Sequence, residues 1–157
     1  EPLALPQATL HELEDHLLLF FTGYSRSAGD ILQDQDQRTK QADTSMVNNL
    51  HYVKELGQRS RRALEQGAPG VFGEIMHEHW VQKRKRSSGM SNPRIDEWYE
   101  LGRKAGAIGG KLVGAGGGGF LMFYAPEPNR VREAMTRASL EEVRFRFDFD
   151  GTRVVFT

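Results

Sequence analysis

The sequence predicts an α+β domain, an antiparallel sheet with several helices inserted in its first crossover, and three observations point to it. The glycine-rich stretch Gly109–Gly119 runs straight into Phe120-Leu121-Met122-Phe123-Tyr124, which reads as a strand, a glycine turn and a strand, Lys111 to Val113 pairing with Phe120 to Tyr124. Near the start, Leu17 to Thr22 reads as a strand, and its uninterrupted apolar run, Leu17 to Phe21, is the pattern of burial on both faces. Near the end, Val143, Phe145, Phe147 and Phe149 alternate with Arg144, Arg146 and Asp148, the pattern of a half-buried antiparallel strand. The resulting order of strand, helices, hairpin, helix, strand and strand is that of a ferredoxin-like core with extra helices.

Each element has a local cause. Thr9 and Glu12 have capping-box spacing, so Leu10 to Asp15 reads as a short helix leading into the first strand. A helix is expected from Ser25 to about Gln37 with Ala28, Ile31 and Leu32 inward, although Gly29 weakens it and the polar run Gln33 to Arg38 suits a solvated helix end or loop. Asp43 can cap a long helix with Met46, Leu50, Val53 and Leu56 on one stripe, ending near Gly67. Arg59, Arg61 and Arg62 lie toward its far end, where cations favour the helix dipole.

After Pro69-Gly70, the positions Phe72, Ile75, Met76, His79 and Trp80 form a second stripe. Asn92-Pro93 supplies an N-cap and first helical residue for a helix through Ile95, Trp98, Leu101 and Ala105, with Gly106 as its stop. Beyond the glycine turn, Pro126 and Pro128 precede a helix with Val131, Ala134, Met135 and Ala138 inward. Asp150-Gly151 has the spacing of a type I′ turn into Thr152 to Phe156.

The 157 residues suit one domain that buries roughly two-thirds of its unfolded surface. Twenty-one basic and 21 acidic residues cancel, which argues against a broad electrostatic footprint for nucleic acid or membrane. Cysteine is absent, so no disulfide framework, thiolate chemistry or cysteine-based zinc site enters, and this fits a cytoplasmic setting. The longest apolar run, Leu17 to Phe21, is too short to span a bilayer. The chain opens Glu1-Pro2 without methionine, for which a fragment or processed chain is the simplest reading.

The glycine run is the first candidate site. So many glycines cost backbone entropy and mark positive φ or close backbone approach. Their consecutive N–H groups can cradle a phosphate or pack tightly on other backbone. Gly114, Gly116 and Gly119 spell G-x-G-x-x-G, but a strand follows where the dinucleotide fingerprint needs a helix, and no Lys-Ser/Thr pair follows as a Walker loop requires. The candidate phosphate loop is therefore Gly114, Ala115, Gly116, Gly117, Gly118 and Gly119. Lys111 either brings charge to a phosphate or caps a strand end at the surface.

Arg26 follows a strand end, where its planar fork can reach a phosphate bidentately, with Thr22, Gly23 and Ser25 beside it, or can anchor a helix by a surface salt bridge. His77 and His79, two apart on a helix, point apart and do not share an ion; His79 suits a hydrogen-bonded core position. Lys83-Arg84-Lys85-Arg86-Ser87-Ser88 reads as a solvated helix end near an anionic substrate. Asp96-Glu97 suits a helix N-terminus, and Glu141-Glu142 a strand start.

The segment Gly106-Ala107-Ile108-Gly109-Gly110-Lys111-Leu112-Val113-Gly114-Ala115-Gly116-Gly117-Gly118-Gly119 resembles the third, C-terminal motif of the GHMP kinases. Phe72-Gly73-Glu74-Ile75-Met76 with His79, then Ser91 and Ile95-Asp96, resembles the approach to it. Leu18 to Ala28, with Ile31-Leu32, resembles the opening of the C-terminal half in the heptose-7-phosphate and fucose kinase branch. The resemblance covers nearly the whole chain but not a whole kinase.

It implies that residues 1–157 form a single C-terminal domain beside an N-terminal kinase domain of the same protein, which carries the ATP phosphate loop and the group that activates the hydroxyl. No catalytic residue is therefore assigned here. The implied reaction is phosphorylation of the anomeric hydroxyl of a heptose 7-phosphate by ATP with Mg2+, Thr22, Gly23, Ser25 and Arg26 lying near the acceptor, and this chain alone being inactive. A fucose or other sugar 1-kinase is the alternative of the same class, and a non-catalytic ferredoxin-like binding or regulatory module the alternative of another.

Overall fold

The computed structural model describes residues 3–24, 28–86, 89–114, 116–149 and 151. In chain order the elements are α1 Gln7–His16, β1 Leu17–Phe21, α2 Ala28–Lys40, α3 Thr44–Glu65, α4 Pro69–Arg84, α5 Pro93–Lys104, β2 Gly109–Val113, β3 Phe120–Tyr124, α6 Pro128–Arg137 and β4 Glu141–Glu142. The strands form one antiparallel sheet in the order β2-β3-β1-β4. β1 and β2 both pair with β3, so four helices carry the chain across one strand, and α6 makes the second crossover from β3 to β4. This is the ferredoxin-like order with helices added to the first crossover.

Strand alternation divides the core in two. Leu18 and Phe20 of β1, Leu112 of β2 and Leu121 and Phe123 of β3 are fully buried with Trp80, Ile95, Tyr99, Val131 and Met135 from the helices on that face. Leu17, Met122 and Tyr124 point the other way, toward Leu13, Phe72 and Met76. α4 lies directly on the β2 edge, because Gly73 and Gly109 carry no side chain at the crossing: a Cβ at 109 would collide with the Gly73 carbonyl.

Two helix caps form as their sequences require. Asp43 accepts from the Met46 N–H at 3.1 Å and Asn92 from the Ile95 N–H at 3.0 Å. The expected cap at Thr9 does not form. α1 starts at Gln7 behind Pro6, Thr9 is buried within the helix, and Glu12 accepts the Tyr124 hydroxyl at 2.7 Å. The polar run Gln33 to Arg38 is helical, continuing to Lys40, and Arg38 pairs with Asp43 at 2.7 Å. Leu32 is 53% exposed rather than inward, because α2 rests on α3 and not on the sheet.

The strand expected from Val143 to Phe149 is also corrected. β4 stops at Glu142, and only the Val143 N–H adds a further bond, to Leu19 O at 2.7 Å. The antiparallel register would bring residue 145 opposite Leu17, where β1 ends and α1 begins, so residues 146–149 have no strand opposite them. The chain is held by α1 instead: Glu14 accepts from the Phe147 N–H at 3.1 Å and from Arg146 at 2.7 Å, while Phe145 and Phe147 cover the second core. The turn and strand expected at Asp150 and Thr152 to Phe156 lie outside the described residues.

Candidate functional site

Val113 and Phe120 close the β2–β3 ladder, and the glycine run turns between them. Gly114, Gly116, Gly117 and Gly119 have φ of 115°, 134°, 71° and 103°, a region that residues with a Cβ adopt only with strain. A side chain at these positions would force another turn. Ala115 lies outside the described residues.

The loop is bound to the end of β1. Thr22, 4% exposed, donates its N–H and its Oγ1 to the Gly119 carbonyl at 3.0 and 2.8 Å. The Gly119 N–H returns a bond to the Tyr24 carbonyl at 2.9 Å, and the Gly117 N–H donates to the Met90 carbonyl at 3.0 Å. Thus the two stretches singled out in the sequence, Thr22-Gly23 and the glycine run, meet in space. Close packing on backbone is one use the loop makes of its missing side chains, the backbone being that of Tyr24 in the same domain. Ser25 and Arg26 lie outside the described residues.

Lys83 holds the other end of the loop, and its position corrects the reading of that residue as part of a solvated helix end; Lys85 is exposed, and Ser87 and Ser88 lie outside the described residues. Lys83 is 6% exposed, and its Nζ donates to the carbonyls of Leu112, at 3.1 Å, and Gly114. Burial, then Lys111 and Arg86, pull its pKa down to about 8. Spacing carried the signal: Met76, Trp80 and Lys83 follow one helical stripe at i, i+4 and i+7.

Lys111 is not a surface cap. It is half-buried on the opposite side of β2 from Leu112, with Nζ 3.0 Å from His79 Nδ1. His79 is held down to about 4 by burial and then by the Lys111 charge, so at neutral pH its uncharged Nδ1 accepts from the ammonium. His77 turns elsewhere, its Nδ1 2.7 Å from the Tyr99 hydroxyl. Asp96, in the first turn of α5, accepts from Ser91 at 2.8 Å and Arg84 at 3.2 Å. Among the described residues no three His, Cys, Asp or Glu side chains converge as metal ligands do.

Comparison with known proteins places this geometry. The GHMP kinases C terminal family matches residues 60–141, from the last part of α3 to β4 and including the whole glycine loop. A bifunctional fucokinase/GDP-fucose pyrophosphorylase of Arabidopsis thaliana is 35% identical over 140 residues, covering 89% of this chain and 13% of that protein. A D-glycero-alpha-D-manno-heptose 7-phosphate kinase of Campylobacter jejuni is 28% identical over 152 residues, covering 97% of this chain and 44% of that protein. The mevalonate kinase of L. major, solved in complex with R-mevalonate, shares the fold with a TM-score of 0.72 at 22% identity, over 87% of this chain and 39% of that one. The chain thus spans less than half the length of each of these relatives. A ferredoxin-like sheet whose β2–β3 turn is this glycine loop, matched over more than half its length by that family, makes the chain a member of the GHMP kinases, as their C-terminal domain.

Proposed function

We propose that this chain is the C-terminal domain of an ATP-dependent sugar kinase, and that the full-length protein transfers a phosphoryl group from ATP to the anomeric hydroxyl of a heptose 7-phosphate. The observation that carries the reading is the binding of the glycine loop to the Thr22–Tyr24 segment, which joins a phosphate-loop candidate to an acceptor-site candidate. The Campylobacter relative, matched over 97% of this chain, supports the heptose assignment. The Arabidopsis relative, at 35% identity, favours fucose as the second reading.

Phosphoryl transfer depends on positioning and charge neutralisation more than on covalent participation by the protein. In this chain Thr22 and Lys83 do the positioning: one holds the Gly119 carbonyl and the other the Gly114 carbonyl, so the loop keeps one shape. The buried ammonium of Lys83 adds positive charge under the loop. Magnesium, when bound with ATP, would neutralise phosphate charge. The described residues offer no carboxylate cluster for it, so its ligands are expected from the nucleotide and the N-terminal kinase domain. That domain would also supply the nucleotide-phosphate loop and the group that activates the hydroxyl, and this chain alone would be inactive.

The reaction implies a cytoplasmic enzyme of small molecules; no described helix is long and apolar enough to cross a membrane. The test is ADP release by the full-length gene product with ATP and magnesium against heptose 7-phosphate, fucose, galactose and mevalonate. Turnover on heptose 7-phosphate alone is expected. Turnover on fucose alone moves the assignment to the second reading, and silence on the whole panel overturns both.

A further inference from the structure

Between α3, α4 and the sheet lies a part-open cavity of about 270 Å³. Val53, Leu56 and Ser60 share one face of α3, and Ile75, Met76 and His79 share one face of α4. Lys111 of β2 and Met122 of β3, partners in the ladder, line it from the sheet. The walls are mainly apolar, with Lys111, His79 and Ser60 as the polar groups.

Gly57 opens this cavity. It stands exposed in the interior of α3, where glycine is the least favoured residue after proline. The crossing of α4 and β2 requires Gly73 and Gly109, but a Cβ at position 57 would meet nothing within 4 Å. No neighbouring backbone therefore calls for this glycine; its missing side chain leaves room at the cavity it lines.

Lys111 brings its charge to the same cavity without a carboxylate. Among the described residues its Nζ bonds His79 Nδ1, at 3.0 Å, and no acidic side chain. Because Nδ1 accepts, the neutral imidazole carries its proton on Nε2. That N–H and the Ser60 hydroxyl have no partner among the described residues. A half-buried ammonium is costly unless an anion compensates it, and a charge-assisted bond to a carboxylate does so. One positive charge matches one negative charge: a phosphate dianion would bring a second charge against apolar walls, and a neutral ligand would leave the ammonium uncompensated.

We propose that this cavity binds a small monocarboxylate with an apolar body, the carboxylate on the Lys111 ammonium and the body between α3 and α4. The site is separate from the glycine loop and does not rest on the sugar-kinase reading.

The test is calorimetric titration of the full-length protein at neutral pH and constant ionic strength with hexanoate, acetate, 1-hexanol and hexyl phosphate. Saturable binding of hexanoate is expected. Acetate, which lacks the apolar body, and 1-hexanol, which lacks the charge, should each bind at least about tenfold more weakly. Lys111→Met should weaken hexanoate by about tenfold or more, with the fold checked by circular dichroism. Gly57→Leu is the second variant: it should fill the opening and weaken hexanoate by about tenfold, yet raise the urea midpoint, because leucine suits a helix better than glycine. A weakened affinity in a stabilised protein is not the mark of a damaged fold. No saturable binding, equal affinity for hexanoate and acetate or 1-hexanol, or unchanged affinity in either variant overturns the proposal. Tighter binding of hexyl phosphate than of hexanoate overturns the choice of a carboxylate.

Discussion

Gly118 lies so close to Tyr24 that a Cβ at position 118 would sit 2.5 Å from the Tyr24 carbonyl oxygen. That contact makes the glycine loop and the end of β1 one packed unit. Gly118→Ala must therefore push the two apart, at a cost of about 1–3 kcal/mol, the usual range for overpacking. The variant should unfold at lower urea and lose turnover in the full-length enzyme. Gly23→Ala is the contrast: its φ of +72° strains any side chain, yet a Cβ there meets nothing within 4 Å. It should lose roughly 1–2 kcal/mol of stability from backbone strain alone while the loop contacts persist. Equal activity in the two variants at matched stability would contradict the coupling.

Lys83→Met keeps the apolar stem but leaves the Leu112 and Gly114 carbonyls without their donor. A buried group left unpaired costs about 1–3 kcal/mol, and relief of the buried charge returns part of it, so a net loss of about 2 kcal/mol is expected in chemical denaturation. Lys83→Arg should not restore stability, because a planar fork does not fit where a compact ammonium reaches two carbonyls. Wild-type stability in Lys83→Met would show that the buried lysine does not hold the loop.

His79 predicts a pH dependence. Its folded pKa of about 4 lies below the ordinary 6.5, so as pH falls the unfolded chain takes up the proton first. Stability contributed by the neutral imidazole is present above pH 6.5 and is lost as pH falls toward 4. With solvent screening allowed for, the loss is on the order of 1–2 kcal/mol. Urea midpoints of the wild type and His79→Gln, measured across that window, should converge toward its acid end; parallel curves would refute the assignment.

Glu14 is the anchor of residues 143–149. The Phe147 N–H and then Arg146 hold its carboxyl below the ordinary carboxylate value. Glu14→Ala should accelerate amide hydrogen exchange at Phe147 while leaving Val143, which donates to Leu19 O, protected. Exchange that is unchanged at Phe147 would mean that the aromatic contacts of Phe145 and Phe147 suffice without the carboxylate.

Much of the fold was legible because its causes are local. Asp43 and Asn92 are caps in the sequence and caps in space, the stripe from Met46 to Leu56 is helical, and Phe120 to Tyr124 reads as a strand. Thr9 misled because an N-cap needs its place before the helix, and Pro6 starts α1 one turn earlier. Residues 143–149 misled because alternation shows which side chains share a face but not whether a neighbouring strand exists. Thr22, Gly23 and the glycine loop could be singled out from the sequence, but not that Thr22 and the loop meet; Lys83 was masked by the basic residues that follow it.

By itself, then, the sequence determined the α+β class, the caps, the helical stripes and the glycine turn, since these depend on residues a few positions apart. The tertiary structure decided that Thr22 meets Gly119 across 97 positions, that Lys83 reaches the loop rather than water, and that Lys111 faces His79 instead of the surface. Those relations follow from which face of β2 lies against α4 and which strand lies beside β3. Both are set by packing between segments far apart in the chain, which no local pattern encodes.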